Sequence, residues 1–314
     1  MKSEIKKGKV HAINISHEKG TIKEAVDNCK VSNYGLLGDA HAGPWHRQVS
    51  LLSKESINKF SKKSGRPIAP GEFAENITLS GIDLTNVRVL DQFFSKNVRL
   101  EVTQLGKKCH GEQCAIFKEV GDCAMPKEGI FCKVLKSGEL QSGEPLYYRP
   151  KLFRVQIITL SDRASMGEYG DKSGEAILHE MENYLNDKFK YYQVQKVVIP
   201  DNPKDLHRVV NLALDDEADL IITTGGTGLG ERDITPDVIS KIIDKEIPGI
   251  MEHIRVKYGA KNPNALLSRS LAGIRKKTLI FTLPGSTRAA KEYLDEIFHI
   301  LYHAVMMMHG VDMH

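Results

Sequence analysis

Asp233 and Asp201 are the two residues through which this sequence could do chemistry on a polyanion. Asp233 lies in TTGGTGLGERDITPDVI, Thr223 to Ile239, where Gly225, Gly226, Thr227 and Gly228 precede an Arg-Asp pair. Consecutive glycines let a backbone approach a ligand closely, and their N–H groups can point at an anion. The spacing is not that of a P-loop, and Glu231 takes the last place of a G-x-G-x-x-G fingerprint. Thr235-Pro236 reads as an N-cap hydroxyl followed by Pro at the first helical position. The plainer reading is a tight turn in which Asp233 pairs with Arg232. Three companions weigh against it: SDRAS with Ser161 and Asp162, VIPD ending in Asp201, and LPGS, whose Ser286 opens a helix that could hold a phosphate. Each follows an apolar run. In a parallel sheet such loops gather at one rim, where open α/β sheets bind ligands. Two carboxylates among phosphate-binding turns indicate metal-assisted nucleotide chemistry.

A second constellation lies in 107–135, with cysteines at 109, 114, 123 and 132 and His110 between the first two. Zinc is one reading, but the spacing lacks a C-x2-C knuckle. Cys132 sits mid-strand in GIFCKVL and reads as core; Cys29 has no evident role. Cys109, Cys114 and Cys123 fall in turn-rich sequence near Lys107, Lys108, His110 and Lys127, whose charge favours the nucleophilic thiolate. His41, His46 and Arg47 share the segment HAGPWHR, as turn and surface packing or, for Arg47, as an anion-binding group. Asn76 reads as a turn cap.

The elements that must position these residues differ between the two halves. After 151, strands (152–160, 194–199, 218–226, 278–285) alternate with amphipathic helices (175–185, 206–216, 289–305), a pattern of βαβ units. Before it, short β-rich segments and one helix, SKESINKFSKK, suggest a barrel-like domain. The boundary falls in SGEPLYYRPKLF, giving domains 1–148 and 149–314. The 314-residue length suits two domains. Residues 1–150 carry a net charge of +6 and the remainder −2, without a basic block that would argue for nucleic acid. No apolar run approaches a membrane span and no signal-peptide core follows the N-terminus, so the expected location is the cytoplasm.

SDRASMGEYGDKSG, VIPD, TTGGTGLGERDITPD, LLSRSLAGIR and LPGS, in this order, resemble the Mog/MoaB family of molybdenum-cofactor biosynthesis across essentially all of 151–314. The same domain occurs in gephyrin and plant Cnx proteins. The resemblance implies a three-layer α/β domain with a mainly parallel sheet, forming a homotrimer, that adenylylates molybdopterin without pyridoxal phosphate. The pterin's terminal phosphate attacks the α-phosphate of ATP, with Mg2+, and pyrophosphate leaves. By position it implies that Asp233 organises Mg2+ and the ATP phosphates and that Asp201 positions the nucleophile or the metal. It further implies that Gly225 to Gly228, with Thr227, hold phosphate, and that Ser161, Asp162 and Ser286 line the pterin-phosphate pocket. Thr282 stands where many relatives have Asn, a difference touching fine pocket shape.

GLLGDAHAGPWHRQVSLL, PGEFAENITLSGIDL, CHGEQCAIF and GDCAMPKEGIFCKVL resemble a MOSC domain, the module related to the C-terminal domain of molybdenum-cofactor sulfurase, over about residues 5–147. This implies a β-rich fold that binds the pterin cofactor and carries sulfur as a persulfide. Cys114 best matches the sulfur-carrying position and Cys123 is second; the partners implied are a cysteine desulfurase and a molybdenum-insertion protein. The expected protein is bifunctional. The alternatives are a catalytic second half with a docking or chaperone first half, or a cofactor-binding scaffold without catalysis, against which the presence of both Asp201 and Asp233 speaks.

Overall fold

Alternation of buried and exposed side chains builds the first half. The computed structural model describes residues 4–107 and 123–311, and the chain divides into two units between Lys151 and Leu152. The first contains β1 (Lys6–Ile15), β2 (Glu24–Val26), β3 (Asn28–Ser32), β4 (Gly35–Leu36), β5 (Val49–Ser53), α1 (Lys54–Ser64), β6 (Ile77–Ser80), β7 (Gln92–Phe94), β8 (Arg99–Leu105), α2 (Met125–Glu128), β9 (Ile130–Lys136), β10 (Gly138–Gln141) and β11 (Pro145–Arg149). Seven strands in the order β11-β7-β8-β9-β5-β6-β1 form a closed barrel, because β1 also pairs with β11. Strands β10, β3 and β4 make a separate small sheet.

Period-two geometry explains why β5 is buried throughout. Val49 and Leu51 enter the barrel cluster with Val10, Ile77, Leu100 and Cys132, while Leu52 faces the other way, into a cluster with Ile57 and Phe60 of α1. Helix α1 is fixed by Ser53, whose hydroxyl accepts from the Ser56 N–H, and by Gly65 in the left-handed region at its end. The closing strand, β11, is absent from the sequence reading, which takes Pro145 as an interruption. Proline is compatible with the first residue of a strand, and Tyr147 and Tyr148 secure β11 by packing on Phe94 and Phe93.

The second unit contains β12 (Phe153–Leu160), α3 (Asp162–Ser165), α4 (Lys172–Lys188), β13 (Tyr192–Ile199), α5 (Pro203–Asp215), β14 (Leu220–Thr224), α6 (Thr235–Ile239), β15 (Lys245–Glu246), α7 (Pro248–Gly259), β16 (Ala272–Arg275), β17 (Thr278–Leu283) and α8 (Thr287–Met308). The sheet order is β13-β12-β14-β17-β16-β15. The first four strands are parallel, and β16 and β15 add antiparallel at the edge. Ile158, Ile221 and Ile280 pack against Leu206 and Val210 of α5 and Ile239 of α6. Helices α4 and α8 pack together, against β12 and β17. Among the described residues no helix is long and apolar enough to cross a membrane.

Candidate active site

The four parallel strands end at one rim, and the loops leaving them line a cavity of about 560 Å³. Thr159 to Asp162 arrive from β12, Asp201 from β13, Gly225 and Gly226 from β14, and Gly285 and Ser286 from β17. Ser161, Asp162, Asp201, Gly225, Gly226, Asp233 and Ser286 therefore meet at one site. Thr227 and Gly228 do not line it: Thr227 is buried, and their carbonyls accept from the Arg269 N–H (2.9 Å) and Arg269 Nε (2.8 Å).

The loop conformation is set by glycine. Gly225 and Gly226 have φ of 101° and 62°, a region that side chains disfavour. A Cβ on Gly225 would lie 2.4 Å from the Leu160 carbonyl oxygen, so the β14 loop runs against the end of β12. Thr235 is not the N-cap its spacing suggests. It is the first residue of α6, and its hydroxyl donates instead to the Gly225 carbonyl (2.8 Å) while its N–H reaches Gly226 O (3.0 Å). The short helix is thereby tied back onto the glycine turn. Nor does Arg232 pair with Asp233: its guanidinium meets the Asp162 carboxylate across the cavity. Asp233 Oδ2 accepts from the Gly230 N–H (2.8 Å).

The cavity holds carboxylates of Asp162, Asp171, Asp201 and Asp233 beside Arg163, Lys172 and Arg232. Asp171 caps α4 and pairs with Lys196 (3.2 Å), and Asp162 is taken by Arg232. Among the described residues neither Asp201 nor Asp233 has a Lys or Arg in ion-pair contact. Burial, and then the charge of Asp233, push the Asp201 carboxyl above its ordinary range. Two carboxylates lining one cavity, both oxygen donors, suit a hard divalent cation. Ser161 and Ser286 cap α3 and α8, accepting from Ala164 N and Ala289 N (3.3 and 3.2 Å). Thr282 is fully buried outside the cavity, its hydroxyl accepting from the Leu271 N–H (2.7 Å).

Arg269 is the residue that sequence reasoning passed over. It stands inside LLSRSLAGIR without a motif of its own, and only the fold brings it to the glycine loop.

In the first unit a smaller cavity of about 170 Å³ is lined by His41, Trp45, Arg47, Ser50, Ala74, Asn76, Lys107, Met125 and Phe131. Arg47 lies over the Trp45 ring at 4.9 Å, and its buried Nε has no hydrogen-bond partner among the described residues. Asn76 is no turn cap: its Oδ1 accepts from both the N–H and the hydroxyl of Ser50 (each 3.0 Å) and its amide donates to Asn14 O (3.3 Å), joining β5 to β1. Cys132 is fully buried on β9, its thiol pushed well up by burial. Cys123 is buried in the apolar cluster under α1. Cys109 and Cys114 lie outside the described residues.

Residues 156–303 match the model of a probable molybdopterin binding domain, and residues 38–147 match that of the MOSC domain. The chain is 35% identical over 156 residues to a molybdopterin adenylyltransferase of Helicobacter pylori, covering 50% of this chain and 88% of that protein. It is 37% identical over 164 residues to the molybdopterin adenylyltransferase of Pyrococcus furiosus, covering 49% and 93%. The crystal structure of the tungsten cofactor synthesizing protein MoaB from Pyrococcus furiosus aligns with 35% identity over 50% of this chain and 99% of its own, with a TM-score of 0.43. Through its second half, joined to a MOSC domain in its first, the chain belongs to the molybdopterin adenylyltransferase family.

Proposed function

We propose that the second unit transfers AMP from MgATP to the terminal phosphate of molybdopterin. The observation that carries this reading is that Asp201 and Asp233, without Lys or Arg partners among the described residues, line one cavity with Gly225, Gly226 and the N-termini at Ser161 and Ser286. A phosphate oxygen of the pterin attacks the α-phosphorus; a P–O bond forms, the bond to the β-phosphate oxygen breaks, and pyrophosphate leaves. Such a transfer depends on positioning and charge neutralisation more than on covalent catalysis. Asp233, with Asp201, would hold Mg2+, which when bound neutralises phosphate charge. The chain's own residues orient the reactants: the Gly225–Gly226 turn admits phosphate to the backbone, Ser161 and Ser286 receive the pterin phosphate, and Arg232 offers a planar donor fork at the cavity mouth. Pyrophosphate release by wild type and by Asp233→Ala tests the reading.

The first unit, in this proposal, binds the pterin cofactor through an anionic group at Arg47 and Lys107, where the buried Arg47 Nε has no partner among the described residues. Cys123 is only 6% exposed, and Cys114, the position that best matches the sulfur carrier of the resembling family, is the proposed carrier, its thiolate taking the outer sulfur of a desulfurase persulfide and releasing that enzyme's thiolate. Intact-mass analysis after incubation with a cysteine desulfurase and cysteine tests this. One added sulfur, about 32 Da, on wild type and none on Cys114→Ser is expected; no adduct on wild type would overturn it.

A further inference from the structure

We infer that Arg269 is the positioning residue of the glycine loop, holding Asp233 where its carboxylate faces the cavity. The loop from Gly225 to Asp233 contains four glycines and an exposed Leu229. Such a segment loses much conformational entropy on ordering and has little apolar burial to offset it. Its order must come from elsewhere, and Arg269 supplies contacts at three points along it and a fourth on the helix that follows. The backbone N–H donates to Thr227 O (2.9 Å). Nε donates to Gly228 O (2.8 Å). Nη2 donates to the Asp233 carbonyl. Nη1 and Nη2 also take the Asp237 carboxylate of α6, each at 2.9 Å.

The carbonyl of Asp233 is thus pinned from one side while Gly230 N–H holds its carboxylate from the other (2.8 Å). Arg269 does not line the cavity, so it touches no reactant and acts through Asp233. A guanidinium can address two carbonyls and a carboxylate at once in one plane. A lysine presents a single point charge and cannot. The ion pair to Asp237 is half exposed and counts for little alone; the carbonyl contacts define the role.

The inference rests on the nucleotide-transfer reading only for its second measurement. First, amide hydrogen exchange of the 225–234 segment is compared in the full-length wild type, Arg269→Lys and Arg269→Ala. Exchange there should quicken about tenfold in both variants, with β12 and β17 unchanged. Second, the MgATP concentration at half-maximal pyrophosphate release should rise about tenfold, the order expected when a hydrogen bond that positions Asp233 is lost, while that for molybdopterin stays within about twofold. A general structural role would instead loosen the β-strands and impair both substrates alike, and that result overturns the proposal. Unchanged loop exchange in Arg269→Ala also overturns it. Absence of turnover in wild type would sink the transfer reading while the exchange result still decides the role of Arg269.

Discussion

Asp162 and Asp201 hold each other through their backbones: the Asp162 N–H donates to Asp201 Oδ2 (3.2 Å) and the Asp201 N–H donates to Asp162 Oδ1 (2.9 Å). The loops after β12 and β13 are locked by this reciprocal pair, and the remaining Asp162 oxygen receives Arg232. Asp162→Asn keeps an acceptor for the Asp201 N–H, whereas Asp162→Ala leaves that N–H without its partner. The alanine variant should lose about 1–3 kcal/mol in the second unit and the asparagine variant less than half of that. Hydrogen exchange of β13 in increasing urea measures it. Equal losses would show that the carboxylate's charge, not the acceptor, matters.

Gly228→Ala separates geometry from charge. A Cβ there would stand 2.7 Å from Asp233 Oδ2, and a carboxylate tip can swing aside cheaply. Stability should change by less than about 1 kcal/mol, yet pyrophosphate release should fall about 100-fold, because displacing the oxygen proposed to hold the metal by about 1 Å is costly. Thermal unfolding and turnover on the same sample check both halves of the prediction.

The ion pair of Lys23 and Asp39, both 1% exposed, should make the first unit sensitive to acid. Burial disfavours the Asp39 charge, but hydrogen bonds from His41 and Lys23 and the Lys23 charge together hold its carboxyl well below the usual carboxylate range. A depressed folded value means that the contribution is fully present above the unfolded value of 3.8 and is lost as pH falls through the folded one. Lys23→Met leaves a buried carboxylate unpaired and should cost about 3–5 kcal/mol at neutral pH. The only tryptophan, Trp45, donates to the His41 carbonyl (2.9 Å) beside this pair, so its fluorescence reports unfolding of this unit. The variant should unfold at lower urea and at higher pH than wild type.

Thr282→Val removes the acceptor of the Leu271 N–H inside the sheet. An unpaired buried donor costs about 1–3 kcal/mol. The Leu271 amide should exchange faster with pyrophosphate release nearly unchanged, since Thr282 lies outside the cavity.

Much of the second unit is legible in the sequence because parallel strands buried on both faces read as apolar runs, and 153–160, 220–224 and 278–283 are such runs. Their loops fall at one rim by topology alone, which is why Ser161, Asp162, Asp201, Asp233 and Ser286 are found together. Contacts that depend on a side chain's direction are not legible. Arg232 reaches Asp162 rather than its neighbour, Thr235 turns back to Gly225 instead of capping, and Arg269 arrives from 41 positions beyond Gly228. In the first unit β11 escapes notice because Pro145 reads as a break, and the pairing with β1 and β7 that makes it a strand is with residues far away in sequence. Asn76 likewise bonds to Ser50 and Asn14 on the neighbouring strands β5 and β1, which are distant in sequence.

The most direct test measures pyrophosphate released by the full-length protein from molybdopterin and MgATP, with Asp233→Ala and Asp201→Ala alongside. The account predicts release that requires both substrates and Mg2+, with adenylylated molybdopterin formed in equal amount, and a fall of at least about 100-fold in each variant. Absence of release by wild type, or equal release by the Asp233→Ala variant, would contradict it.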